Sequence, residues 1–240
     1  MPSLGPDTIV APMKPITLAL LICVAVCPRA AAQQGPRIAR IVADVRLTFP
    51  KFPNESPVLA ASRDIGPTDL PGLGRGIDGA LHAYLLQWGA VTFGVGANLM
   101  IGRSRSTPPS TQPPSGQAVT ERFTSIAPQV SLNFGNGYGW SYLSGGIGRS
   151  TWFIVPDRAA ATPADVERIK TINYGGGARW FKKKHVGFSF DVRFYAINPG
   201  TPVGTHLIGS PRTTLLVIGD RKSTRLNSSH SDRSRMPSSA

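Results

Sequence analysis

Cysteine is confined to positions 23 and 27 of this 240-residue chain, so the remainder can form neither a disulfide nor a cysteine-ligated metal site. Long apolar runs are missing too. The longest, Ile16 to Val26, falls well short of the roughly 20 residues a helix needs to cross a bilayer. Acidic residues are scarce, 13 against 26 Lys and Arg. The basic residues are scattered along the chain and build no basic helix, which argues against a nucleic-acid binder. Glycine is plentiful, yet the segments Gly72 to Gly76 and Asn173 to Arg179 neither lie between a strand and a helix nor end in Gly-Lys-Ser/Thr. They are read as glycines that let strands bend, not as phosphate loops.

Both ends of the chain stand apart in composition. From Met13 a basic residue, Lys14, precedes the apolar run, and Ala30, Ala31 and Ala32 follow it before Gln33. That order of charge, short apolar stretch and small residues is a secretory signal peptide. Residues 1–12 then form an upstream extension, residues 13–32 the signal and residues 33–219 one mature domain. Ile22 and Val26 stand where a lipoprotein signal needs a small residue before its cysteine, which argues against lipid attachment. At the other end, Asp220 to His230 resembles the in-frame translation of a common sequencing-library adapter, and Ser234 to Ala240 resembles its continuation. Residues 220–240 are therefore expected to be an artefactual, disordered tail, with the last strand truncated at Gly219. The tail carries Arg221, Lys222, Arg225, Arg233 and Arg235 against Asp220 and Asp232, and the leader carries Lys14 and Arg29 against Asp7. Setting both aside leaves +9 of the formal +13.

Between those ends the chain alternates. Val186, Phe188, Phe190, Val192, Phe194 and Ala196 interleave with Gly187, Ser189, Asp191, Arg193 and Tyr195, a period of two that no helix can hold on one face. Ile41, Ala43, Val45, Leu47 and Phe49 repeat the pattern against Val42, Asp44, Arg46 and Thr48. The reading is about eight strands: Arg37 to Phe49, Gly76 to Trp88, Ala90 to Arg103, Arg122 to Gly135, Trp140 to Val155, Arg168 to Phe181, His185 to Asn198 and Arg212 to Gly219. Tight turns are expected at Trp88-Gly89, at Asn136 to Gly139 and at Lys182 to Lys184; Asn-Gly is a strong hairpin signal. The long connections Pro50 to Arg75, Ser106 to Glu121, Pro156 to Glu167 and Pro199 to Pro211 carry most of the proline. Thr162 to Asp165 has the cap, proline and carboxylate of a single helical turn. Long and short connections in alternation predict an all-β, antiparallel, up-and-down transmembrane β-barrel.

Trp88, Tyr138, Trp140, Trp180 and Phe181 flank the short turns, and Phe49, Phe52, Phe123, Trp152, Phe153 and Tyr195 lie toward the long loops, as paired aromatic girdles would. The inward parity collects Asp44, Arg46, His82, Arg149, Arg179, Asp191 and Arg193 as a polar lumen network. An eight-stranded lumen is barely wide enough for side chains, so these groups are expected to form a packed plug, with Asp44 and Asp191 as the obvious acidic partners.

With the signal peptide, this strand pattern, the turn rhythm and glycine-rich strands such as Phe93 to Leu99 and Tyr142 to Gly148, residues 38–219 resemble the OmpA-like outer-membrane β-barrel superfamily. The resemblance implies a bacterial outer-membrane protein exported through the periplasm, in contact with lipopolysaccharide and other outer-membrane lipids. It also implies insertion by the barrel assembly machinery, which reads a terminal aromatic residue absent here. The expected function is non-enzymatic: a membrane-anchored scaffold for surface loops with a mostly plugged lumen and neither cofactor nor metal.

The competing classes are a surface adhesin or small-solute channel, a lipid-modifying enzyme and a secreted lipocalin-like barrel. A lipid deacylase needs a serine and a histidine close together at the outer rim with a carboxylate orienting the histidine; His185 with Ser189 and His206 with Ser210 do not offer that. The lipocalin alternative turns on whether Asp44, Arg46, Asp191 and Arg193 point into the lumen or into water. Export should remove everything through Ala32. Intact-mass analysis of membrane-extracted protein is expected to start at Gln33, and a retained Met13 segment would reject the signal peptide.

Overall fold

In the computed structural model, residues 37–107, 116–157, 165–181, 187–201 and 209–225 are described. Their period-two pattern sorts side chains between two environments. On the first strand Ile41, Val45, Leu47 and Phe49 are exposed, whereas Val42, Asp44, Arg46 and Thr48 are buried. The apolar face points out and the polar face points in, the reverse of a water-soluble barrel.

Eight strands carry this pattern: β1 (Ile41–Lys51), β2 (Arg75–Trp88), β3 (Val91–Arg105), β4 (Val119–Asn136), β5 (Gly139–Pro156), β6 (Val166–Phe181), β7 (Gly187–Ile197) and β8 (Thr213–Arg225). Each pairs antiparallel with its sequence neighbours, and β8 pairs with β1 to close the barrel in simple up-and-down order. The observed strands extend past several of their expected ends, chiefly toward the long connections. There the ladder continues for as long as both chains offer donors and acceptors, whatever the side chains.

The β2–β3 turn places Gly89 at φ +59°, a left-handed conformation that glycine adopts at little cost. In the β4–β5 turn the Asn136 side chain accepts a hydrogen bond from the Tyr138 amide at 2.9 Å, fixing the Asn-Gly hairpin. The turn expected at Lys182 to Lys184 lies outside the described residues. So do residues 162–164 of the expected helical turn. Asp165, the described residue of that segment, has a 3-10 conformation, and the first connection holds α1 (Pro57–Ala61) and a 3-10 turn at Pro67–Asp69. Ser56 caps α1 by accepting from the Leu59 amide, and Pro57 occupies its first turn.

One expectation is corrected. The last strand does not stop at Gly219: the chain from Asp220 to Arg225 continues β8, pairing with Val42 to Leu47 of β1 and Gly187 to Phe190 of β7. Alternation fades there, yet main-chain pairing requires only amides and carbonyls. Without this segment β1 and β7 would each expose an open edge. Truncation after Gly219 is therefore expected to abolish the gel-mobility shift between unheated and boiled barrel, whereas truncation after Arg225 should preserve it.

Candidate functional site: the barrel interior

The inward side chains form three layers. At the end with the long connections, Phe52, Leu59, Ala60, Ile65 and Leu70 from the first connection pack with Met100, Phe123, Trp152, Ile154, Ile169, Tyr195, Ile197, Leu215 and Val217 from the wall. At the end with the tight turns, Ile38, Val42, Tyr84, Trp140 and Tyr142 form a smaller cluster, with Ala39 and Phe181 against it. Charged and amide groups fill the level between.

In that middle layer the Arg46 guanidinium lies 2.8 Å from Asp191 Oδ1 and 3.4 Å from Asp78 Oδ1. Arg193 approaches Asp191 at 3.4 Å and donates to Ser144 Oγ at 2.9 Å. Arg179 pairs with Asp44 at 2.9 Å, donates to Tyr84 Oη at 3.0 Å, and stacks over the Tyr142 and Trp140 rings at 4.4 and 5.4 Å. Tyr142 donates to Asp191 Oδ2, and Tyr195 Oη and Asn98 Nδ2 both donate to Asp78 Oδ2. Gln129 of β4 donates to Asn173 of β6 at 2.9 Å, over Gly146 of the strand between them. His82 Nδ1 lies 3.9 Å from Asp44 Oδ2, its ring parallel to that of Tyr84. Three arginines thus meet three aspartates within the described layer. Breaking one such pair costs far more than the pair contributes, because the abandoned charge stays buried.

Glycines make room for these groups. A Cβ on Gly94 would lie 2.5 Å from the Tyr84 ring, and one on Gly177 would lie 2.9 Å from Tyr142 Oη. Both are inward positions where another strand's large side chain occupies the space.

Asp44, Arg46, His82, Arg179, Asp191 and Arg193 are all buried in this interior. Arg149 is not: it is exposed on the outer wall, directly opposite exposed Lys170. From Trp140 to Ile154 the buried positions of β5 are Trp140, Tyr142, Ser144, Ser150, Trp152 and Ile154, all even-numbered, so Arg149 has the outward parity. The glycines from Gly145 to Gly148 carry too little side chain to reveal that phase in the sequence. Asp78, the third acid of the layer, was missed by sequence reasoning although it shares the parity of His82. Asn98, Gln129 and Asn173 were missed as well.

The girdle expectation is corrected for five of its eleven aromatics. Trp88, Tyr138, Trp180 and Phe49 are exposed, whereas Trp140, Phe52, Phe123, Trp152 and Tyr195 are buried and fill the lumen. An aromatic near a strand end satisfies a girdle or a plug equally well by position; only its parity separates the two. At the outer mouth Trp152 Nε1 donates to buried Glu121 at 2.7 Å. Arg63, from the first connection, bridges Glu167 at 3.1 Å and Ser210 Oγ at 3.0 Å, while the Ser210 amide donates to Glu167 at 3.1 Å. Of the four residues weighed for an enzymatic site, Ser189 and Ser210 are buried, and His185 and His206 lie outside the described residues.

A closed antiparallel ring of eight strands, apolar outside and with a layer of charged groups buried inside, is a transmembrane β-barrel of the small outer-membrane class. No protein-family model matches the chain, and no curated protein does. Among solved structures it is similar to Neisserial surface protein A, with 10% identity, 78% of this chain and 98% of that one covered, and a TM-score of 0.47. It is also similar to Ail, the attachment invasion locus protein of Yersinia pestis, with 9% identity, coverage of 79% and 99%, and a TM-score of 0.41.

Replacing Asp191 with leucine removes a partner from both Arg46 and Arg193. Urea unfolding in lipid vesicles is expected to show a loss of about 3–5 kcal/mol. Adding Arg193→Met should recover part of it.

Proposed function

We propose that the protein is a non-enzymatic bacterial outer-membrane barrel, reaching its site by export through the periplasm, whose wall anchors surface loops and whose lumen is plugged. The observation that carries this reading is the filling of the interior at three levels. A solute would have to displace the outer apolar cluster, the ion-paired layer and the inner aromatic cluster in turn.

The outer level supports a scaffold role further. Leu59, Ala60, Ile65 and Leu70 belong to the first long connection yet are buried in the mouth of the barrel. The bridge from Arg63 to Glu167 and Ser210 ties that connection to the start of β6 and to the connection before β8. Loops held this way present a fixed surface instead of gating a pore. The barrel assembly machinery remains the expected inserting partner.

Planar-bilayer recording tests the reading. The folded protein is expected to give no steady conductance above the bare membrane, and a reproducible ohmic step from single insertions would replace the plugged scaffold with a channel.

A further inference from the structure

The β4–β5 seam is interrupted at one level. Its pairs run from Val119 with Pro156 to Ile126 with Arg149, and resume at Gln129 with Gly146 in the same register. Between them Ala127 does not pair with Gly148, nor Pro128 with Ile147. Among the described residues the other seams run without a gap, apart from the bulge at Leu85 beside the β2–β3 turn.

The direction of the main-chain bonds explains the gap. The Asp157 amide donates to Ala118 O across β4–β5 at 2.8 Å. Ser106 donates to Val119 O across β3–β4 at 3.0 Å, and Gly135 donates to Ala90 O across that same seam at 3.4 Å. Even-numbered residues of β4 therefore turn their main-chain groups to β5 and odd-numbered ones to β3. Pro128 is even-numbered, stands opposite Ile147 and has no N–H to give, so the Ile147 carbonyl receives no donor from its partner strand.

Neither face braces the gap. A Cβ on Gly146 would strike Pro128 O and one on Gly148 would strike Ile126 O, so β5 presents bare main chain to the lumen here. Ser125 lies opposite Ser150, and Thr171 opposite Gly148; all three are buried, and none of their hydroxyls has a hydrogen-bond partner. On the outer face Ile126, Pro128, Val130 and Ile147 are exposed and offer no donor. Arg149 and Lys170 stand exposed just to the loop side of them. Cations in a membrane wall draw water toward their own level.

We propose that the β4–β5 seam at Pro128 is a built-in point of opening, through which water reaches the Ile147 carbonyl and the hydroxyls of Ser125 and Ser150. Parting two strands elsewhere in the ring forfeits main-chain bonds and returns nothing. Here the ladder already lacks one bond, and water admitted to the gap supplies partners to groups that have none in the closed wall. The opening stays local because the paired stretches on both sides hold the register. It requires only the ring and its register, whether or not the lumen conducts.

Hydrogen exchange followed by NMR on the folded full chain in phosphatidylcholine nanodiscs tests the seam. The Ile147 amide faces β4 beside the gap, and the Gly96 and Asn98 amides face the same part of β4 from the unbroken β3 side. Corrected for intrinsic rates, Ile147 is expected to exchange at least about tenfold faster than either, and P128V, which restores the donor, to remove that difference. Equal protection of the three amides overturns the opening, and an unchanged rate in P128V overturns proline as its cause. If P128V does not fold, S125C/S150C carries the comparison, because a disulfide between these opposite inward positions staples the seam. Its oxidation should slow exchange at Ile147 and its reduction restore it; equal rates in the two forms overturn the opening. The gel-mobility shift on boiling reports the ring independently.

Discussion

Hydrocarbon offers no partner to a peptide group. Every amide and carbonyl of a strand crossing a membrane must bond to a neighbouring strand, and that requirement holds for the outermost strands as much as for the central ones. Closure of β8 on β1 is the answer here, and much else depends on it. Once the ring is closed, its size is set by eight strands and its lumen is only as wide as side chains can fill. The charged residues inside then have neither bulk water nor lipid to turn to, only one another.

That constraint explains why the wall was legible in the sequence and the interior less so. Alternation in β1 and β7 announces the strands because one face must be apolar along its whole length. Asn136-Gly137 announces a turn because few residues tolerate its backbone. The interior is assembled from residues far apart in the chain: Arg46 meets Asp191, Tyr195 meets Asp78, and Gln129 meets Asn173. Such pairings depend on strand stagger, which no local pattern records. Parity alone indicated inward positions, and it failed at Arg149, where four residues containing three glycines interrupt the count. Apolar plugs at both ends were concealed for another reason. Phe52, Phe123, Trp152 and Tyr195 sit where interface aromatics would also sit.

The end of β8 shows the opposite case, in which side-chain pattern misleads and main-chain need decides. Asp220 to Arg225 lacks the alternation of a membrane strand, yet two open neighbours, β1 and β7, present matching donors and acceptors. A strand with weak side-chain character can be templated by its surroundings, as the first strand of a sheet cannot.

The first connection is a loop by topology and part of the core by burial, with Leu59 and Ala60 fully buried and Arg63 bonded across the mouth. This bears on surface display. A peptide grafted between Ser56 and Leu70 would compete with the molecule's own stopper and disturb the fold that carries it.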